Sequence, residues 1–218
     1  MFNVSVFLCY KMGSLNENGQ LVVQLNANRC RRAHDLLYSR CRRKDARVAL
    51  VSEPNREIVS KSANWLFNEA QSAAIWLASG RCDEKGGGAA FVRAKVGRVS
   101  LYSVYLSPND SREEFERDLD ELDAQIRSER PSAVVIVGGD FNAKSHAWGS
   151  GIEDSRGSTL RDWAASLNLR VANVGSSPTF EQNGRTSVVD ITTAGSRWGT
   201  GRFPTRKRSA TTEPSSFG

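Results

Sequence analysis

Polar residues that can bind a metal ion or a phosphate directly follow apolar segments of the chain. Glu53 comes just after the apolar run 46–51, and Asp140 and Asn142 follow Ala133–Val137 and two glycines. A carboxylate is a hard oxygen ligand suited to a Mg²⁺ ion that keeps most of its waters. In an extended chain, side chains two residues apart, such as those of Asp140 and Asn142, point to the same side. One can then orient and deprotonate a water while the other holds a phosphoryl oxygen, which is the chemistry of phosphodiester hydrolysis.

Other polar residues occupy comparable positions at the ends of predicted strands. Because strand ends on one edge of a sheet can converge on one cleft, we expect a single site. Its members are Asn26, Glu53, Tyr105, Asp140, Asn142 and Asp190. Taken alone, Asn26, Glu53 and the pair Asp140 and Asn142 are each better explained as turn or capping residues, so the prediction depends on the whole set.

The elements that must position these residues are strands and helices typical of a mixed α/β domain with packed sheets. Strands are predicted at Gln20–Asn26, Ala46–Val51, Ser72–Ala78, Ala89–Ala94, Val99–Leu106 and Ala133–Val137, with short ones near Arg170–Asn173 and Val188–Thr192. Helices are predicted at 28–44, around Leu160–Leu167, and from Ser111, where Glu114 completes a capping box, to Pro131. Residues 55–70 are expected to form a polar loop and Ser79–Gly88 a turn-rich segment.

Composition bounds the class of protein. The 218 residues carry a net charge of +6, and residues 29–47 alone contain eight basic side chains against two acidic ones. Such a segment suits a polyanionic partner, although a solvated helix face explains it as well. Four cysteines without a C-x-x-C pair predict reduced thiols in an intracellular protein. No apolar stretch approaches the roughly 20 residues of a membrane span, and we expect no signal peptide and no membrane partner.

Residues 134–150, VVIVGGDFNAKSHAWGS, resemble the endonuclease domains of non-LTR retrotransposons, which belong to the exonuclease–endonuclease–phosphatase superfamily and are of the apurinic-endonuclease type. Four further motifs occur in the family's order: QLNANR (24–29), VSEPN (51–55), YLSPN (105–109) and TSVVDITTA (186–194). Ser52 stands where glutamine is more usual, and YLSPN is one residue longer than the commoner form. The resemblance covers residues 20–194, between an N-terminal extension, 1–19, and a disordered basic tail, 195–218.

The resemblance implies a fold and an activity. The fold is a DNase I-like, four-layer α/β sandwich, in which two packed mixed β-sheets are flanked by helices and the last core strand is missing. The activity is nicking of double-stranded DNA in the nucleus with Mg²⁺, or alternatively Mn²⁺. The cut leaves a 3′-hydroxyl that primes a reverse transcriptase domain of the same polyprotein.

The resemblance also implies roles for individual residues. Glu53, helped by Asn26, binds the metal, Asp140 activates the water, and Asn142 and Tyr105 hold the scissile phosphate. Asp190 is the partner of a catalytic histidine. Contacts with DNA are expected from Asn109, Arg29, Arg31 and Arg32.

The chain departs from the family at its end. The family's terminal Ser-Asp-His motif is absent, and the two histidines, His34 and His146, lie in other contexts. The residues after Ala194 look like a truncated or frameshifted end, so we expect low activity and poor stability. Two alternatives stay open: a catalytically impaired remnant that only binds DNA, and an abasic-site endonuclease. A lipid or inositol phosphatase is disfavoured by the loop after Asp140 and by the basic charge.

Overall fold

The structure is a computed structural model that describes residues 21–171, 180–182, 185–187 and 190–196. The predicted extension 1–19 and the residues of the predicted tail after Ser196 lie outside this description. The strands are β1 (Val22–Asn26), β2 (Val48–Ser52), β3 (Trp65–Phe67), β4 (Ala73–Leu77), β5 (Glu84–Gly87), β6 (Phe91–Val96), β7 (Val99–Tyr105), β8 (Val134–Asp140), β9 (Arg170–Val171), β10 (Phe180–Gln182), β11 (Arg185–Ser187) and β12 (Asp190–Ser196). The helices are α1 (Arg31–Lys44), α2 (Arg56–Ser60), α3 (Arg112–Arg127) and α4 (Ser155–Ser166), and a 3-10 helix spans His146–Trp148.

Two mixed sheets form the centre of the fold. The first has the strand order β1-β2-β4-β3, with β1 parallel to β2 and the remaining pairs antiparallel. The second has the order β5-β6-β7-β8-β12-β9, and its parallel pair is β7 and β8. A separate hairpin joins β10 and β11. Each parallel pair is connected by a helix, α1 in the first sheet and α3 in the second, as a parallel connection requires.

Three apolar clusters separate four layers. The cluster around Leu25, Leu37 and Val51 lies between α1 and the first sheet. A second, with Leu50 and Leu101, lies between the two sheets. The third packs α3 and α4 against the outer face of the second sheet. Strands β2 and β7 are covered on both faces, which is why they are buried along nearly their whole length. The predicted four-layer α/β sandwich is confirmed.

Several predicted elements differ in their bounds or were missed. Helix α1 begins at Arg31 because Asn28 and Arg29 adopt left-handed backbone conformations, with φ of 42° and 55°. The expected loop 55–70 contains α2, whose first turn is capped by the Asn55 side chain, and the short strand β3. The turn-rich segment contains β5, an edge strand without apolar periodicity. The capping box of Ser111 and Glu114 at α3 is confirmed.

The free thiols of the described residues are Cys30, Cys41 and Cys82. None of the described helices combines the length and the apolar character needed to cross a membrane.

Helix α4 approaches the loop after Asp140 so closely that only glycine fits at one position. A Cβ added to Gly157 would lie 1.8 Å from the backbone oxygen of Lys144, whereas one added to Gly151 would meet nothing within 4 Å. We expect Gly157→Ala to destabilise the protein by about 1–3 kcal/mol through overpacking, although alanine is the better helix former.

The measurement is the free energy of unfolding by urea, with Gly151→Ala as the matched control. A Gly157→Ala protein as stable as the parent would show that the loop and the helix do not make this close contact.

Candidate active site

All six predicted strand-end positions lie at one edge of the two sheets. Asn26 and Glu53 end or follow β1 and β2 of the first sheet, and Tyr105, Asp140 and Asn142 end or follow β7 and β8 of the second. Asp190 begins β12, and its backbone pairs in register with that of Asp140. The site therefore lies where the carboxyl ends of two parallel strand pairs meet.

The carboxylate of Asp140 is fixed by residues from both sheets. Asn26 Nδ2 donates a hydrogen bond of 2.7 Å to Oδ2, and the backbone N–H of Asn142 donates one of 3.0 Å to Oδ1. Asp140 is only 5% exposed, and burial raises the pKa of its carboxyl to about 7. The hydrogen bonds from Asn142 and Asn26 lower that pKa, and the negative charge of Glu53 raises it. A carboxyl perturbed in this way in a cleft is typical of functional sites.

Glu53 reaches the site from a strained turn. Its φ is 46°, in the left-handed region that side-chain-bearing residues rarely adopt. The turn is held because Glu53 N–H donates to Ser72 O at 2.7 Å and Arg29 N–H donates to Glu53 O at 2.7 Å. Strained backbone of this kind occurs preferentially at active sites, and here it brings a half-buried carboxylate to the edge that carries Asp140.

Tyr105 and Asn142 complete the polar lining. Burial raises the pKa of the Tyr105 hydroxyl to about 12, helped by the charges of Glu53 and Asp140 and by a hydrogen bond with Glu53. Tyr105 is therefore a neutral hydrogen-bond donor at physiological pH. Asn142 also has a left-handed φ, 46°, and its Nδ2 donates to Leu106 O at 2.9 Å. The turn thus points the Asn142 side chain toward the strand end that carries Tyr105.

The two sheets are joined directly behind Asp140 by buried polar contacts. Ser52 Oγ donates to Val104 O at 2.9 Å and accepts from the Asp140 N–H at 3.0 Å, so one hydroxyl connects β2 with both β7 and β8. Gln24 Nε2 donates to Gly139 O at 3.0 Å. At Gly139 a Cβ would lie 1.9 Å from Val104 O, so glycine is required there. Ser52 and Gln24 are positioning residues that the sequence patterns did not reveal, because buried serine and glutamine in a strand carry no recognisable signal.

His34 stabilises the loop that carries Glu53. It lies on the buried face of α1, with no exposed surface, and its Nε2 accepts a 2.9 Å hydrogen bond from the Asn55 N–H. The ring packs edge-on against Trp65 at 5.2 Å. The other histidine, His146, is exposed, and its Nδ1 is hydrogen-bonded to Ser150 O at 2.9 Å within its own loop.

The residues after Asn142 serve mainly to form a closed loop. Trp148 is buried, and its Nε1 donates to Ala143 O at 3.2 Å. Asp154, which caps α4, accepts from the Lys144 N–H at 3.1 Å and from the Gly157 N–H at 2.7 Å. The long motif after Asp140 is therefore explained by a closed loop packed on α4.

The residues predicted to contact DNA surround the same edge. Arg29 is exposed and close enough to Tyr105 for its charge to lower the pKa of that hydroxyl. Arg31 and Arg32 are exposed on the first turn of α1, where Arg31 lies 4.0 Å from Glu57. Asn109 is exposed in the loop after β7. Sequence patterns missed Arg156, whose guanidinium holds this loop by donating to the backbone oxygens of Ser107, at 2.7 Å, and Asp110.

The donor atoms at this edge fit a hard divalent cation. The carboxylates of Glu53 and Asp140 interact electrostatically, and within the described residues neither forms an ion pair that would neutralise it. No group of three or more His, Cys, Asp or Glu side chains with metal-binding geometry occurs in the described residues. Mg²⁺ does not need one, because it is usually bound by one or two carboxylates and keeps several waters.

Asn26 is committed to contacts within the chain. Its Nδ2 donates to Asp140, and its Oδ1 accepts from the Asn28 N–H at 2.8 Å. Its role as a metal ligand stays a prediction.

Comparison with known proteins identifies a family and related folds. The profile of a family described as endonuclease-reverse transcriptase matches residues 99–210, or 112 of the 218 residues. The endonuclease domain of TRAS1, a telomere-specific non-LTR retrotransposon, is 28% identical with a TM-score of 0.65; the match covers 79% of this chain and 83% of that one. The comparison with curated proteins gave no match.

Two more distant structures share the fold. An AP endonuclease from Archaeoglobus fulgidus is 11% identical with a TM-score of 0.62, over 79% of this chain and 85% of that one. A humanized D. rerio TDP2 carrying 14 mutations is 15% identical with a TM-score of 0.53, over 80% of this chain and 82% of that one. At these identities the likeness concerns the fold alone.

Fold and site together define a phosphodiesterase of the endonuclease class. The chain belongs to the endonuclease-reverse transcriptase family, which confirms the resemblance found in the sequence. The family match extends to residue 210, and strand β12 continues to Ser196, so both pass residue 194, where the motifs end.

We expect Ser52→Ala to weaken both the fold and the site. The variant removes a buried hydroxyl that joins the sheets, which costs about 1–3 kcal/mol when its partners lose a hydrogen bond. It also loosens the backbone of Asp140, so plasmid nicking should fall more than the fraction of unfolded protein explains. Ser103→Ala is the matched control, because Ser103 Oγ donates to Val51 O across the same interface at 3.3 Å without touching Asp140. Equal nicking by the two variants would contradict a positioning role for Ser52.

We expect acidification to destabilise the protein through His34. Burial lowers the pKa of His34 from 6.5 to about 4, although Asp35 opposes the shift. Between these two values the unfolded state binds more protons at His34 than the folded state does, so the contribution of His34 to stability falls as pH decreases from 6.5 toward 4. The raised pKa of Asp140 acts in the opposite direction over this range, so the effect of His34 is read from the difference between the parent and a variant. Melting temperatures across this range should show a smaller slope for His34→Gln, which keeps an acceptor near Asn55 but cannot be protonated. Parallel slopes would rule out His34 as the titrating group.

Proposed function

We propose that this domain is a divalent-metal-dependent endonuclease that nicks double-stranded DNA and leaves a 3′-hydroxyl for reverse transcription. One observation carries the proposal: the Asp140 carboxylate is held by Asn26 at 2.7 Å and by the Asn142 N–H at 3.0 Å, beside Glu53 and Tyr105. A fixed carboxylate beside neutral amide and hydroxyl groups suits a water attacking a phosphodiester.

Each side chain then has a definite task. Asp140 orients the water and accepts its proton as the oxygen bonds to phosphorus. Tyr105 and Asn142 donate hydrogen bonds to the non-bridging oxygens of the phosphate. The bond from phosphorus to the 3′ oxygen breaks, and the leaving oxygen takes a proton from solvent, so the products are a 3′-hydroxyl and a 5′-phosphate. Glu53, with Asn26, would hold Mg²⁺ or Mn²⁺, which when bound neutralises charge that develops on the phosphate.

The surroundings of the site support DNA as the substrate. The exposed arginines Arg29, Arg31 and Arg32 are placed at the start of α1, beside the catalytic edge, where they can contact phosphates. Asn109 stands on the loop that Arg156 holds beside β7. The likeness to a retrotransposon endonuclease and the family's description support the use of the nick by a reverse transcriptase domain of the same polyprotein. A nuclear location follows from such a substrate.

A second candidate is a domain that binds DNA but cleaves it poorly. The chain has only two histidines, and one is buried against Trp65 while the other is bonded within its own loop. Within the described residues neither ring is hydrogen-bonded to a residue of the catalytic edge, so the structure shows no histidine in place to assist phosphate cleavage. Loss of such a group reduces rates by about 10²–10⁴-fold.

The deciding experiment is nicking of supercoiled plasmid with Mg²⁺. We expect slow nicking by the parent chain, which Asp140→Ala reduces by at least about 10²-fold and a chelator abolishes. Asp120→Ala, at an exposed position on α3, is the matched control for loss of one carboxylate. Extension of the nicked strand by a DNA polymerase tests for the 3′-hydroxyl.

The outcomes separate the candidate functions. Folded parent protein that binds plasmid without nicking it would favour the impaired DNA-binding domain. Cleavage confined to duplexes with an abasic site would replace target-site nicking by repair-type activity. If the only activity found were release of phosphate from phosphoinositides, both target-site nicking and repair-type cleavage would be excluded.

A further inference from the structure

A second basic and aromatic surface lies at the opposite end of the first sheet. Because β1 and β2 are parallel, the connecting helix α1 must run from the catalytic edge back to the start of β2. Its 14 residues span about 21 Å at 1.5 Å per residue. The C-terminal end of α1 is therefore too far from Asp140 to contact the phosphates beside the cut.

A depression of about 390 Å³ opens at this end of the helix. This volume is at the lower end of the range for small-ligand sites. The residues that line it include Tyr38, Arg42, Asp45, Arg47 and Trp76. We call this depression, with the neighbouring Arg43 and Lys44, the distal basic surface.

The cations of the distal basic surface are available to a ligand. Within the described residues, Arg42, Arg43 and Lys44 form no ion pair. Arg47 lies 3.8 Å from Asp45, but both side chains are exposed, and such a pair contributes little. Cations at a helix C-terminus interact favourably with the helix dipole, which accounts for the last turn of α1. It does not account for Arg47, which lies beyond the helix and lines the same depression as Arg42.

The aromatic part of the surface is rigid. The Tyr38 hydroxyl accepts a 3.0 Å hydrogen bond from Trp65 Nε1, which fixes its ring. Tyr38 in turn packs edge-to-face on Trp76, with ring centroids 5.7 Å apart and an angle of 69° between planes. Trp76 is half-buried, and its indole N–H has no hydrogen-bond partner within the described residues. A flat ring held in place beside two arginines is the combination that binds unpaired nucleotides.

We propose that the distal basic surface binds single-stranded nucleic acid, with phosphates on Arg42 and Arg47 and one base against Trp76. An unpaired strand is favoured because a paired base is enclosed in its stack and cannot reach an aromatic ring in a depression. DNA and RNA share this chemistry. The inference does not depend on cleavage, since binding here involves none of the residues at the catalytic edge.

The test is fluorescence anisotropy of a labelled 12-nucleotide strand, as DNA and as RNA, titrated with the parent chain and variants in a chelating buffer. We expect Arg42→Ser with Arg47→Ser to weaken binding about 10-fold or more. The slope of log affinity against log salt should fall by about 1.4, because two phosphate contacts are lost at about 0.7 each. The matched control is Arg98→Ser with Arg130→Ser: it removes the same charge from exposed positions at the corresponding end of the second sheet.

Aromatic variants separate stacking from charge. Trp76→Leu should weaken binding several-fold or more, and Trp76→Phe should retain most of it. Urea unfolding of each variant checks that the fold is intact.

Each possible result of these binding experiments either supports or overturns the proposal. Equal weakening by the two arginine pairs would overturn the proposal, because a local site would then be absent. The proposal is also overturned if Trp76→Leu binds as well as the parent, or if a duplex binds the surface as strongly as the single strand. Preference for RNA or for DNA distinguishes the two sources of the strand, and either preference supports the proposal. Plasmid nicking by the Arg42 and Arg47 double variant should equal that of the parent, so failure of the cleavage proposal leaves this test unaffected.

Discussion

The site depends on a small set of buried hydrogen bonds between the two sheets. Ser52 Oγ bridges Val104 O and the Asp140 N–H, and Gln24 adds a hydrogen bond to Gly139. These contacts lie in an otherwise apolar interface, where polar groups must be paired and therefore accept few alternative arrangements. They fix how the first sheet, with Asn26 and Glu53, lies over the second sheet, with Tyr105 and Asp140. The catalytic arrangement is thus a property of the sandwich and not of any one strand.

The same principle explains why the catalytic edge is built from strand ends. Each parallel pair brings two carboxyl ends to one edge, and the helices that return the chain occupy the outer layers. Residues distant in sequence, such as Asn26 and Asp140, then come within hydrogen-bond distance. Helix α4 and the loop after β7 lie beside this edge, and Arg156 of α4 is hydrogen-bonded to that loop.

The sequence predicted the strands that carry the site because each is an apolar run that ends in a polar residue. The α3 boundary followed from Ser111 and Glu114, and the motif around Asp140 indicated the family. The sequence did not predict β5, β3 or α2, since edge strands and single-turn helices depend on neighbouring elements more than on periodicity. Ser52, Gln24 and His34 were missed because their roles are set by residues from other elements, and only packing reveals that a buried polar side chain has found its partner.

The left-handed backbone of Glu53 has a consequence for how such a domain can evolve. Glycine or asparagine would relax the turn, whereas a carboxylate at that position keeps a strained conformation in exchange for a charge at the catalytic edge. Stability and activity therefore select different residues at position 53. A lineage that no longer needs cleavage would be free to drift there toward the relaxed residue.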